Sequence, residues 1–483
     1  MRKHSGSSEF SAYTIIAILS AAISFVTMIV LTRLASEDFF GKINKFITAS
    51  NVIMSLIFLG LDSAYIRFYY EPPENSNSKQ LAWKCLTPAL IILAIVSIIF
   101  MLFRNSSSMA LWIGGGGVLF TFAFIITVFS QFLNRFMTIY FRMNSSLLSF
   151  SILSIAIVVL TKTIFIPIYI VTQKFEDNII LSASFLTLFM ISFFGINAKK
   201  MVEIPKSNSC SNYKPVYRFA LLSSPVFVIT YLNSYLPQII ISDNLGDRIL
   251  GVYSAALLFC SAIQVLSAGF TTFWSPYMFK NYKTEQYTIK RIHDVVLLGG
   301  VLTLASILLL NDFLYLFIGE AFRRNQNILG MLLIYPIILV LVETTAYGIS
   351  IEKKNEISLI IYLVSTATNV VLCIFLISKF GLDGVAFASM FSAIIQMVLM
   401  TYFGQKYYCS INSIIRTLFH IFVLILSAVL FYIFYNNRIV FIVAEIAITG
   451  ICLFYDKDVI LWIFKALQSK RLGNDEKKLT SKD

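Results

Sequence analysis

The chain has 483 residues, 58% hydrophobic and only 13% charged, with a formal net charge of +13 and a mean hydropathy of +0.80. A soluble domain carries about 25% charged residues, and no water-soluble fold of this size hides so much apolar side chain, so a multi-span membrane protein is predicted and a soluble enzyme is excluded. Six cysteines without a CxxC pair, and His4, His293 and His420 far apart in sequence, imply neither a disulfide framework nor a metal site.

The N-terminus is basic and runs into an apolar stretch from Tyr13 that is longer than a signal-peptide core and lacks a small-residue cleavage site. It reads as a retained first helix. Fourteen spans are predicted, at 13–33, 43–61, 85–103, 110–133, 147–170, 178–196, 217–241, 250–272, 294–311, 328–350, 357–378, 384–404, 414–435 and 438–456. Each comes near the roughly 20 apolar residues that a bilayer core about 30 Å thick requires. The short alternating strands of a membrane barrel are absent from the sequence.

The second span ends in LGLDSAYIRFYYE (59–71), read as a helix continuing to Arg67. There Asp62 and Arg67 lie about 140° apart on a helix, whereas Arg67 and Glu71 are one turn apart and suited to pairing. Gly114 to Gly117 open the fourth span; without a following Gly-Lys-Ser/Thr they are not a phosphate loop. The polar break 197–215 separates six spans from eight and has a linker's composition. The tail after Lys465 is charged and reads as disordered.

With an even number of spans and both termini inside, the inner stretches hold 27 of the 38 basic residues and the outer ones 10, Lys162 falling within a span. This asymmetry places the termini in the cytoplasm and explains the positive charge without nucleic acid. Two short motifs echo each other: EDFFG (37–41) and DRILG (247–251) each precede a helix, and GLDG (381–384) is a third, looser copy.

LTRLASEDFFGKINKF with LGLDSAYIRFYYE, YRFALLSSPVFV, ISDNLGDRILGVYSAALLF, FTTFWSPYMFKNY and the run from IEKKNEISLI to GVAFASMFS together resemble the polysaccharide flippase family. These O-antigen and capsule repeat-unit translocases are kin to multidrug and toxin extrusion transporters. The resemblance spans about residues 13 to 408. It implies an all-α polytopic fold of about fourteen helices: a six-helix bundle over 1–196, a cytoplasmic linker at 197–216, a second six-helix bundle over 217–408 around a shared cavity, two additional helices over 409–464, and a tail at 465–483. The implied task is flipping of undecaprenyl-pyrophosphate-linked oligosaccharide across the bacterial inner membrane for O-antigen (lipopolysaccharide), capsule or exopolysaccharide synthesis. Expected partners are the lipid-linked substrate, the bilayer, a coupling proton or sodium ion and other polysaccharide-assembly proteins; no cofactor is expected.

A pyrophosphate crossing hydrocarbon needs cations, and a charged side chain at mid-membrane is costly enough to mark a functional candidate. Lys162, in IVVLTKTIFIPI, is the sharpest, against the alternative of a shorter span from which it snorkels. Arg33, Arg67, Arg142 and Asp62 are further candidates for substrate contact, against interface anchoring, and Glu343 for ion coupling. Arg135 and Arg142 flank the inner ends of spans four and five. Asn51, Asn233, Gln264, Asn369 and Gln396 suit sugar hydroxyls or, more commonly, interhelical hydrogen bonds. Glu445 lies outside the implied transport core. The rival readings are a multidrug or small-solute exporter of the same superfamily, whose cavity needs a carboxylate, and a membrane polymerase or acyltransferase, for which no acid cluster or large outer loop is present.

Overall fold

A computed structural model of the chain describes residues 5–106, 111–144, 146–203, 212–465 and 468. The chain is 87% helical, with no strand among the described residues. In chain order the helices are α1 (Ser5–Leu34), α2 (Glu37–Phe58), α3 (Leu61–Phe68), α4 (Ser78–Leu102), α5 (Val118–Met143), α6 (Leu147–Thr172), α7 (Phe175–Met201), α8 (Lys214–Leu245), α9 (Asp247–Asn281) and α10 (Gln286–Leu309). They continue with α11 (Asn311–Leu316), α12 (Leu329–Thr345), α13 (Tyr347–Ile351), α14 (Asn355–Tyr407), α15 (Ile414–Ile433) and α16 (Arg438–Tyr455). Part of the predicted linker (204–211) and nearly all of the predicted tail lie outside the described residues.

Lipid as solvent is written on the helix faces. On α4, Leu81, Cys85, Ala89 and Leu93 are buried, while Ile91, Ile95, Ile98 and Leu102 form an exposed apolar stripe. A soluble helix would carry charge on that outer stripe; here its natural neighbour is hydrocarbon.

Among the described residues eleven helices, rather than the predicted fourteen, are long and apolar enough to cross a membrane, or twelve if a bent pair is one span. The differences sit at three places. α1 (Ser5–Leu34) covers the first predicted span, 13–33, but its side chains up to residue 14 and at residue 17 lie outside the described residues, leaving Ile18–Leu34 as its described apolar stretch. α14 merges two predicted spans and is interrupted at Gly381, whose φ of 55° is left-handed. The helix expected to follow EDFFG (37–41) and run to Arg67 instead begins at Glu37 and breaks at Leu59 and Gly60, both left-handed, and α3 leaves α2 at 55°. Gly60 is required twice over: by its φ of 75°, and because an added Cβ would lie 2.4 Å from the Ala220 carbonyl oxygen on α8.

By contact density the chain forms two compact units. The first comprises residues 1–265, 316–325 and 362–388. In it α5 packs on α7, α8 on α2 and α3, and α1 on α6. The second comprises residues 266–315, 326–361 and 389–483, with α10, α12, α15 and α16 packed together.

A charged network holds the second unit together. Arg416 on α15 donates to Asp294 on α10 (3.2 Å) and to Asp458 just past α16 (2.9 Å), and lies 3.4 Å from Asp456. Arg291 donates to Asp458 at 2.7 Å, and His420 shares a hydrogen bond with Asp456 at 2.6 Å. His293 sits between the Thr344 and Thr417 hydroxyls (2.7 and 3.1 Å), one turn before His420 on the facing helix. The two histidines distant in sequence thus meet in one helix packet.

Candidate functional site

Helices α2 and α9 open with the two echoing motifs, and the motifs pack against each other. Ser36 caps α2 by accepting from the Phe39 amide (3.3 Å), while Glu37 and Asp38 suit the positive end of that helix. An added Cβ on Gly41 would lie 2.1 Å from the Asp247 carbonyl oxygen, and one on Gly251 2.0 Å from the Glu37 carbonyl oxygen. The contact is reciprocal: the glycine of each motif rests on the first residue of the other, as in a self-complementary interface. Two ion pairs clasp the crossing. The Lys45 ammonium donates to Asp247 (2.7 Å) and Ser242 (2.6 Å), and Arg248 donates to Glu37. Lys45 is 2% exposed and Arg248 61%. The third copy does something else: Gly384 faces the Leu376 carbonyl of its own helix, at the Gly381 interruption.

The end of α1 is latched beside this crossing. An added Cβ on Gly319 would lie 1.9 Å from the Thr32 carbonyl oxygen, and the Gly319 amide donates to the Thr32 hydroxyl. Arg33 donates to the carbonyls of Phe317 (2.8 Å) and Leu316 (2.6 Å).

Lys162 lies on a π-turn, Val159–Thr163, inside a helix that runs from Leu147 to Thr172. Such turns re-aim side chains and often mark functional positions. At about 1.5 Å per residue, the ten residues beyond it put Lys162 about 15 Å inside the nearer helix end. Its ammonium donates to the Ser24 hydroxyl on α1 at 2.5 Å, and the neighbouring Thr163 hydroxyl meets that of Thr27 at 3.1 Å. Among the described residues it has no ion-pair partner.

On α3 the spacing argument holds. Asp62 accepts two hydrogen bonds from Arg135 of α5 (2.9 and 3.1 Å), whereas Arg67 pairs with Glu71 at 3.1 Å, both largely exposed. Arg142 is exposed in the last turn of α5. In the second unit Glu343, on α12, hydrogen-bonds Tyr347, which also bonds Ser275. Asn369 donates to Asn233 at 3.0 Å within the first unit, an interhelical use of the amides. The structure thus joins Lys162 to α1 and Asp62 to α5, while Arg33, Arg67 and Glu343 each have separate local partners. Sequence reasoning noticed the echoing motifs but missed Glu37, Lys45, Asp247 and Arg248 as partners; the signal was an acid opening each motif with a cation near it.

Residues 8–282 match the family described as "Polysaccharide biosynthesis protein". No curated protein matches the chain. Among solved structures, a lipid II flippase MurJ in an inward closed conformation is 14% identical with a TM-score of 0.66, over 93% of this chain and 99% of that one. An inward-facing multidrug resistance MATE family transporter of the MOP superfamily is 17% identical with a TM-score of 0.60, over 81% of this chain and 97% of that one. A mutant of the Vibrio cholerae MATE transporter VcmN is 15% identical with a TM-score of 0.54, over 84% and 99%. The fold is therefore that of the MurJ and MATE transporters.

Proposed function

The chain belongs to the polysaccharide biosynthesis protein family, and from that membership we propose that it flips undecaprenyl-pyrophosphate-linked oligosaccharide repeat units from the cytoplasmic to the periplasmic leaflet of the bacterial inner membrane. The products supply O-antigen, capsule or exopolysaccharide synthesis, and the movement is alternating access between two helical bundles. It is transport, not bond chemistry. In this reading both termini are cytoplasmic, so the Gly41–Gly251 crossing closes the outer end. Arg67 and Arg142 meet the headgroup at the inner end with Asp62 holding Arg135, Arg33 stands at the outer mouth, and Glu343 couples transport to a proton or sodium ion.

Lys162 carries this reading. A cation at mid-span costs roughly 2.5–3.5 kcal/mol on insertion scales, and here a hydroxyl, not a carboxylate, receives it. Its charge is left for an anion, as a pyrophosphate requires. An exporter of cationic drugs would instead place a carboxylate there. Deleting the gene is expected to abolish surface polysaccharide and leave lipid-linked repeat units facing the cytoplasm. Lys162→Ala, at wild-type membrane levels, is expected to lower surface display at least about tenfold, with Lys162→Arg retaining part, since hydrogen bonds to charged groups contribute about 1.5–3 kcal/mol. Full display by Lys162→Ala would remove Lys162 from the pathway.

A further inference from the structure

A second cationic site lies where α4 and α8 begin. Their starts are tied together by the Tyr217 hydroxyl, which donates to the Lys84 carbonyl at 3.1 Å. Between them opens a cavity of about 670 Å³, within the range of cavities that take a drug-sized ligand. Three cations line it, Lys84 from α4 and Lys214 and Arg218 from α8, with Tyr213 and Tyr217 interleaved. The pattern is helical: Lys214 and Arg218 are four apart, as are Tyr213 and Tyr217, so each pair shares a face. The Lys84 ammonium stands 5.6 Å above the Tyr213 ring.

Two features point to a ligand. Among the described residues no acid lines the cavity, and none of its three cations has an ion-pair partner. Tyr213 is 8% exposed, yet its hydroxyl has no hydrogen-bond partner among the described residues. Like charges gathered without an anion repel one another, and a buried hydroxyl without a partner is costly; an anion that accepts hydrogen bonds relieves both. One turn further along α8, Leu221 and Leu222 complete the wall and are 60% and 68% exposed, an apolar lip. The wall therefore passes from cations and phenols to hydrocarbon, which matches an amphiphile with its anionic end at the helix starts.

We propose that this cavity binds the diphosphate of a membrane lipid in the cytoplasmic leaflet, as a capture station separate from Lys162. Three cations match the two charges of a diphosphate diester better than the one charge of an ordinary phospholipid. The leucine lip accommodates the first part of the tail. The leaflet and the link to transport rest on the function proposed above; the binding chemistry rests on the cavity alone.

The test is binding to the full chain in nanodiscs, with undecaprenyl diphosphate, phosphatidylglycerol and inorganic pyrophosphate as probes. Wild-type protein is expected to bind undecaprenyl diphosphate at least about tenfold more tightly than either other probe, and Lys84→Gln/Arg218→Gln to lose about tenfold or more of that affinity. Tyr213→Phe keeps the ring beneath Lys84 and is expected to weaken binding roughly threefold; with it, a folding defect in the double variant does not decide the matter. Equal binding of inorganic pyrophosphate (a free-phosphate site), equal competition by phosphatidylglycerol (a general anionic-lipid site), or unchanged affinity in both variants would overturn the proposal. Tight, variant-sensitive binding by a protein that fails to restore surface polysaccharide sinks the transport function and leaves this site standing. Normal surface display with variant-insensitive binding sinks the site alone.

Discussion

Gly251→Val is expected to abolish repeat-unit translocation while the protein still accumulates, folded, in the membrane. The added Cβ would lie 2.0 Å from the Glu37 carbonyl oxygen, and that neighbour is helix backbone, which cannot swing aside as a side chain tip does. The helices α2 and α9 must separate. Separation also strains the Lys45–Asp247 and Glu37–Arg248 pairs, in which Lys45 and Glu37 are almost wholly buried. Breaking a buried pair costs about 3–5 kcal/mol. A shift of about 3 kcal/mol moves a two-state equilibrium by about 150-fold. If α2 and α9 touch in only one state of the cycle, the other state remains available, so the chain folds but stalls. Labelling of Asp38→Cys by a membrane-impermeant maleimide should rise in the Gly251→Val background as surface polysaccharide falls. Gly299→Ala, where an added Cβ meets nothing within 4 Å, is the control. Wild-type translocation by Gly251→Val would refute the crossing as a working closure.

Arg416→Met is expected to lower the stability of the full chain by about 3–5 kcal/mol, read as thermal unfolding in detergent. Asp294 and Asp456 are 1% and 0% exposed, so removing the guanidinium takes a cation from two buried carboxylates and leaves Asp294 only Arg291 at 3.8 Å and Asp456 only His420. Replacing the acids as well, in Arg416→Met/Asp294→Leu/Asp456→Leu, should recover much of the loss, because the penalty belongs to unpaired charge. A triple variant no more stable than Arg416→Met alone would count against this account. The network also has an acid limit. Burial pushes the Asp458 carboxyl up, but hydrogen bonds from Arg291 and Arg416 outweigh it and hold it below the ordinary carboxylate range. A group with a depressed folded-state pKa contributes stability that is present above its unfolded value, near 3.9, and lost as pH falls through the folded one. Asp458→Asn should therefore narrow the gap between melting temperatures at pH 7 and pH 3, modestly, since Asp458 is 41% exposed.

The all-helical membrane fold was legible because lipid demands long apolar runs, and the Arg67–Glu71 pair because helix spacing separates Asp62 from Arg67 on α3; that Asp62 meets Arg135 of α5 came only from the packing. The helix break was less so. A leucine at φ 42° has no sequence signature, and only Gly60 beside it hinted at a turn. Lys162 stood out as a charge in an apolar run, but its π-turn and Ser24 partner depend on packing against α1. The Lys84, Lys214 and Arg218 cavity was hidden by a sound rule: these residues were counted as part of the inner-side positive excess, and a topology count does not ask whether two loops converge. His293 and His420 meet for the same reason, through the packing of α10 against α15.

The two clasps on the α2–α9 crossing differ in how easily they let go. The acids occupy equivalent places, each the first residue of its motif, but the cations do not: Lys45 reaches back from two turns inside α2, whereas Arg248 sits directly beside Asp247 at the tip of α9. Water and ions reach Arg248 and are shut out from Lys45. Bulk salt weakens the first pair and spares the second. If the helices part, as the alternating access proposed above requires, the separation has an order, like a zip drawn from its wet end: the Arg248 clasp yields first and admits solvent, and only then does Lys45 exchange Asp247 for water.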